Sequence, residues 1–203
     1  MLMAAGDKVI YPSQGPCRID RIDKRVIDGT LIKFYHLVVL TEGGELYVPV
    51  DKAEEIGIRL LLTRSEIPSL LAQLKGTVSI VDNWKQRAVS NLKLFASGSA
   101  FDLAEIVVSL TELKDAKSLT LGEARALERA RRLLTCEIAE VMGETMQVAE
   151  QQVDLALKSR TEEVEPVPPI RRSPAIDSNP NRGGKGTASQ TNRKSQRAGT
   201  QSI

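Results

Sequence analysis

The chain has little aromatic, sulfur or imidazole chemistry at its disposal: aromatics make up 3% of its 203 residues, with one tryptophan, two cysteines and one histidine. Cys17 and Cys136 lie far apart and form no CxxC pair, which argues against a disulfide framework or a zinc site and predicts reduced, buried thiols. No base, nucleophile, metal constellation or phosphate loop stands out. His36 alternates in phase with Ile32, Phe34, Val38 and Leu40, which predicts a satisfied side chain on the interior face of a strand. Gly183-Gly184-Lys185-Gly186 lacks the strand and helix that frame a P-loop. A non-enzyme with no metal and no cofactor is expected. No apolar run approaches the roughly 20 residues of a membrane span. Met1 to Asp7 lacks the basic flank and long apolar stretch of a signal peptide. A cytoplasmic protein with no membrane partner follows as the expectation.

What is present is unevenly distributed. The net charge of +2 conceals a folded part with an acidic balance: residues 1–62 hold 8 Lys/Arg against 9 Asp/Glu, and residues 63–165 hold 13 against 16. Residues 166–203 hold 7 Lys/Arg against the single Asp177. Nucleic-acid contact by the folded part must therefore be local.

Residues 1–62 read as a small antiparallel β-barrel. Short β-rich runs are separated by turn signals at Ser13-Gln14-Gly15-Pro16, Asp28-Gly29 and Gly43-Gly44. Asp28-Gly29 is the strongest, because a type I′ turn needs positive φ at both central positions. Between Ile19 and Ile22 the alternation changes phase, which predicts a β-bulge near Arg21. Pro49 cannot donate to a ladder, so Glu45 to Val50 is read as an edge strand. That edge either recruits a protein partner or is simply protected by its proline.

From Thr63 the period becomes helical, giving an all-helical domain over residues 63–160. Ser65 is the expected N-cap of a first helix that carries Leu70, Leu71 and Leu74 and stops at Gly76. A second helix is expected from Asn83 to Ala96, closed by Ser97-Gly98, and a third from Ala100 to Asp115. Thr120-Leu121-Gly122-Glu123 is a capping box that opens a long last helix reaching towards Lys158, which Gly143 could bend or divide. The stripe after Gly143 either packs back on the bundle or pairs with another chain; a monomer is expected. Residues 161–203, with Pro166, Pro168 and Pro169 and no aromatic, read as a disordered basic tail, either solvated or able to bind nucleic acid nonspecifically. The fold class is thus α+β.

Trp84 lies in Asn83-Trp84-Lys85-Gln86-Arg87 at the start of the second helix. The spacing of Trp84, Ala88, Leu92 and Phe95 favours core packing. The alternative is an outward side chain beside Lys85 and Arg87, suited to stacking on a nucleic-acid base. Arg125, Arg129 and Arg132 recur on one helical face, as an ordinary solvated face or as phosphate contacts.

The order Gly6-Asp7-Lys8-Val9-Ile10-Tyr11-Pro12-Ser13-Gln14-Gly15, Val48-Pro49, Gly57-Ile58-Arg59, Asn83-Trp84, Asn91 and Ala96-Ser97-Gly98 resembles the CarD/CdnL family. The opening module is also similar to the polymerase-interacting domain of bacterial transcription-repair coupling factors, although the chain carries no helicase motifs. The resemblance implies a Tudor-like, or SH3-like, β domain that grips the RNA polymerase β subunit, with Arg25, Tyr47, Val48 and Pro49 at that interface. It implies a helical domain that touches promoter DNA through its minor groove and phosphates, with little sequence specificity. Trp84 would enter the minor groove at the upstream edge of the bubble and stabilise the open complex, with Arg87 and Lys85 on phosphates. It further implies a bacterial transcription regulator located at the nucleoid through polymerase. Family members often carry further basic residues and an aromatic where this chain has Gln86, Ala88 and Val89, and many carry Arg at Tyr47. The alternative is an adaptor that binds polymerase or another protein without touching DNA.

Overall fold

A computed structural model describes residues 3–12, 14–41, 43–78 and 83–162. The tail expected from residue 161 falls almost wholly outside the described residues. Among the described residues the first part of the chain holds five strands, β1 (Lys8–Tyr11), β2 (Gly15–Ile27), β3 (Thr30–Val39), β4 (Glu45–Pro49) and, after a short helical stretch, β5 (Arg59–Leu60). All described pairings are antiparallel, in the order β4-β3-β2-β1-β5. The barrel is therefore an open five-stranded sheet in its described ladders, with β4 on one edge as Pro49 requires.

The β2–β3 hairpin turns at Asp28 and Gly29, whose φ values of 48° and 76° are the positive pair the Asp-Gly signal demands. Its ladder slips between Ile19 and Arg21, where Ile19 pairs Leu37 but Arg21 pairs His36. That bulge decides what faces outward. Before it, Cys17 and Ile19 lie on the inner face with Leu37 and Val39; after it, Arg21, Asp23 and Arg25 fall on the outer face, opposite His36, Phe34 and Ile32.

The inner face carries Tyr35, Leu37 and Val39, which pack with Val9, Cys17, Ile19, Val48 and Ile58. His36 is buried as expected, at 2% exposure, but on the opposite face. Its Nδ1 lies 3.3 Å from Asp20 Oδ2 and its Nε2 3.0 Å from Glu45 Oε2. The alternation misassigned the face because β3 is apolar on both sides, so its period could not say which side packs inward.

Burial pushes the Cys17 thiol up to about 11, against a hydrogen bond from the Tyr11 backbone that lowers it. Relative to its ordinary value of 9.0, that leaves about a hundredfold less thiolate near neutrality. Iodoacetamide at pH 8 is expected to leave Cys17 unmodified in the folded protein and to label it in guanidinium, as read by peptide mass mapping. Fast labelling in the native state would contradict the buried, neutral thiol.

After a 3-10 turn (Val50–Lys52) and the short α1 (Ala53–Ile56) come α2 (Ile67–Lys75), α3 (Trp84–Ser97), α4 (Ala100–Ala116), α5 (Leu121–Met142) and α6 (Met146–Glu162). The expected cap of α2 shifts by one residue: Glu66, not Ser65, holds the N-cap position, and its carboxylate reaches back to the Thr63 amide and hydroxyl, both at 2.7 Å. The capping box at Thr120 and Glu123 is present as read, and Gly98 closes α3 in the left-handed region.

The long last helix is divided. Gly143 adopts φ 70°, and the amides of Gly143 and Glu144 both donate to Ala139 O, ending α5 in a left-handed turn. Arg64 donates to the free carbonyls of Val141 and Met142, placing a cation at the negative helix end. The apolar stripe beyond the turn then packs back: Ala149, Val153, Ala156 and Leu157 are buried with Leu70, Leu74, Leu110, Leu134 and Ile138.

The sheet and the helices lie within one compact unit, Met1–Glu165. Glu137, 1% exposed in α5, joins them by accepting from both terminal nitrogens of Arg59 at 2.7 Å and from the Leu62 amide at 3.0 Å. Arg59 Nε also donates to Gly98 O at 2.8 Å. A Cβ at Gly98 would approach Pro12 Cγ to 2.9 Å and Gly57 O to 3.1 Å. The C-terminal end of α3 is thereby seated directly against the β module.

Candidate nucleic-acid and protein interfaces

Helix α3 starts where it does because the Asn83 side chain accepts from the Lys85 amide at 2.9 Å, leaving Trp84 in the first turn. Trp84 is 58% exposed. The core-packing expectation for the stripe Trp84, Ala88, Leu92 and Phe95 does not hold: Leu92 is 69% exposed, Ala88 is exposed, and only Phe95 is partly buried against the helical core. The inward positions are instead Arg87, Asn91, Leu94 and Phe95, the same helical period turned about its axis. Leaving more than half of a tryptophan in water forgoes roughly 2 to 4 kcal/mol of burial. Lys85 Nζ sits 5.6 Å from the Trp84 ring centre.

Arg87, expected on a phosphate, is 8% exposed and is the buried residue of α3. Its Nε and Nη2 donate to Glu123 Oε1 at 2.9 and 2.5 Å. A guanidinium committed to a buried carboxylate is poorly placed to meet DNA, so of the two cations beside Trp84 only Lys85 stands at the surface. Burial pushes the Glu123 carboxyl up, but the Thr120 amide, the Arg87 guanidinium and the Thr120 hydroxyl outweigh that and hold it below the usual carboxylate range. The pair is therefore intact at neutral pH, and its contribution fades only as pH falls through that lowered value.

Between α3 and the start of α5 lies a groove of about 840 Å³ lined by Trp84, Ala88, Leu92, Phe95, Leu121 and Ala126. Leu121 is 68% exposed, so the groove is largely apolar at its rim. Arg125, Arg129 and Arg132 are exposed on α5, and the Arg129 guanidinium lies 5.1 Å from the Phe95 ring centre.

The outer face of the sheet gathers three of the four residues expected at the protein interface. The Arg25 guanidinium lies 4.3 Å from the Tyr47 ring centre and 5.7 Å from that of Phe34, which pairs with Pro49. Tyr47 also stacks on His36 at 4.7 Å between ring centres, and its hydroxyl accepts from Arg21 at 3.2 Å. Val48 does not join them: its side chain is 3% exposed in the β core, because adjacent strand residues point to opposite faces. The residue as a whole, main chain included, is buried there, so Val48 offers a partner almost no surface.

Sequence reading found neither ion pair. Glu123 was legible as a cap but not as the partner of Arg87. Glu137 offered a signal, a carboxylate flanked by Leu134 and Ile138 on an otherwise apolar stripe, which asks for a buried cation. Among the described residues no group of three or more His, Cys, Asp or Glu is placed to hold a metal, and no helix is long and apolar enough to cross a membrane.

An open-edged β module whose outer face sets Arg21 and Arg25, paired with Asp20 and Asp23, around the Tyr47 ring, joined to a helical bundle that displays one tryptophan beside a lysine, defines a two-module binding protein. The chain belongs to the CarD family of transcription regulators: residues 3–61 match the CarD-like/TRCF RID domain and residues 69–154 match the CarD C-terminal domain. It is similar to YdeB of Bacillus subtilis (strain 168), a protein assigned as a transcription factor, with 25% identity over 148 residues that cover 69% of this chain and 92% of that one.

Proposed function

We propose that this transcription regulator binds the β subunit of bacterial RNA polymerase through edge strand β4 and the Arg25, Tyr47 and Pro49 face, and stabilises the promoter open complex with Trp84. The observation that carries the reading is the exposure of Trp84 beside Lys85 at the first turn of α3. An exposed indole can replace part of the stacking lost when a base step opens at the upstream edge of the bubble. Lys85 supplies a phosphate contact, and the DNA is held by shape and backbone with little sequence specificity. Arg87 serves the site from inside the fold. The protein acts as a monomer in the bacterial cytoplasm, at the nucleoid through polymerase, and needs no cofactor.

The polymerase interface is tested by replacing Arg25 with Glu and Tyr47 with Ala in one chain. Both residues are exposed, so circular dichroism is expected to remain native while affinity for polymerase falls by about thirtyfold or more, the loss a hot-spot pair produces. Retained affinity would move the interface elsewhere.

The adaptor reading, without DNA contact, is favoured by one feature, the apolar groove beside Trp84. Forked promoter DNA that quenches Trp84 fluorescence in the polymerase-bound protein supports the DNA reading; a polymerase complex whose tryptophan ignores DNA supports the adaptor.

A further inference from the structure

The N-terminal half of α3 has almost no apolar burial to fix its rotation. Trp84, Ala88 and Val89 are all exposed. Its inward contact is Arg87, and that contact is shared. Glu123 gives Oε1 to Arg87 Nε and Nη2, while its Oε2 accepts from the Thr120 amide at 2.9 Å and the Thr120 hydroxyl at 2.8 Å. One carboxylate thus ties the first turn of α3 to the first turn of α5. Three residues along an α-helix is a rotation of about 300°, so an inward Arg87 sets Trp84 about 60° round the axis, at the margin of the groove. At its other end α3 is seated on the β module through Gly98, Pro12 and Arg59.

We infer that Arg87 and Glu123 are positioning residues for Trp84, a buried clamp that fixes the rotation of α3 and so aims the indole relative to the polymerase-binding module. The inference rests on the wedge reading of Trp84. Arg87 acts here without touching DNA. Lysine would not substitute for it, because a single ammonium cannot offer the Nε and Nη2 pair to one oxygen.

The test uses the full chain with purified polymerase and promoter DNA, comparing Trp84→Ala, Arg87→Ala, Arg87→Lys and the double variant Trp84→Ala/Arg87→Ala. Arg87→Ala is expected to shorten open-complex lifetime by about fivefold or more, approaching the loss of one base stack. Polymerase affinity should stay unchanged, and the nanosecond anisotropy decay of Trp84 in the free protein should gain amplitude. Arg87→Lys should behave like Arg87→Ala, and the double variant should be no shorter-lived than Trp84→Ala, since both substitutions act through one indole. The salt dependence of DNA binding should keep its slope. A slope reduced by about one, with Arg87→Lys restoring activity, would make Arg87 a phosphate contact and overturn the clamp. Unchanged anisotropy and lifetime in Arg87→Ala would overturn it as well. Should Trp84→Ala itself leave the lifetime unchanged, the wedge fails, and the anisotropy of Arg87→Ala alone decides whether the pair holds Trp84. If Arg87→Ala does not fold, Glu123→Gln, which keeps the side-chain size, is read in the same way.

Discussion

Replacing Trp84 with alanine is expected to shorten the lifetime of the polymerase–promoter open complex by about 5- to 150-fold, the equivalent of the roughly 1 to 3 kcal/mol that one base gains by stacking on an aromatic side chain. The same substitution should hardly affect the fold. Trp84 is 58% exposed and packs into neither hydrophobic cluster, so its removal should change stability by no more than about 2 kcal/mol. Polymerase affinity should also persist, because the Arg25 and Tyr47 face belongs to the β module. Trp84→Phe, which keeps a flat ring of smaller area, should retain part of the lifetime. The measurement is the decay of open complexes after a competitor is added, and a lifetime equal to that of the unmodified protein would sink the wedge.

The second large effect is on the fold itself. Glu137→Ala removes the buried carboxylate that meets Arg59 and the Leu62 amide, leaving a guanidinium that is only 25% exposed without its counter-ion and a main-chain donor without its acceptor. Removing one partner of a buried pair costs about 3 to 5 kcal/mol, and the partial exposure of Arg59 places this one at about 3 kcal/mol. At this chain length the melting temperature should drop by roughly 6 to 12 °C. Arg59→Met combined with Glu137→Leu should recover most of that loss, since apolar residues of similar volume leave no charge unpaired. A melting temperature unchanged in Glu137→Ala would show that the pair does not join the two modules. The recovered double variant has a functional use: it keeps stability while loosening the end of α3 that Arg59 holds at Gly98.

Much of the fold was legible in local chemistry. The Asp28-Gly29 turn, the bulge at Arg21, the Thr120 capping box, the Asn83 and Gly98 ends of α3 and the edge position of β4 are all set by residues within a few positions of one another. Their signals are strong because turns, caps and prolines act through backbone groups whose partners lie close in sequence. The sequence named candidate residues for a site but not their arrangement. Trp84 and Lys85 stand together at the surface, while Val48 turned inward because strand alternation hides every second residue.

What the sequence by itself determined is where the strongest turns and caps fall, that a β module precedes a helical one, and that a lone tryptophan opens α3. The tertiary structure alone decided which face of each element packs. For α3 the apolar stripe pointed to one face and the buried Arg87–Glu123 pair selected another; for β3 two apolar faces competed and packing against Val9, Val48 and Ile58 settled the choice; for the stripe after Gly143, α2 and α5 supplied the surface that received it. The reason is common to all three. Periodicity fixes which residues share a face, but only a partner distant in the chain, such as Glu123 for Arg87 or Glu137 for Arg59, fixes which face turns inward.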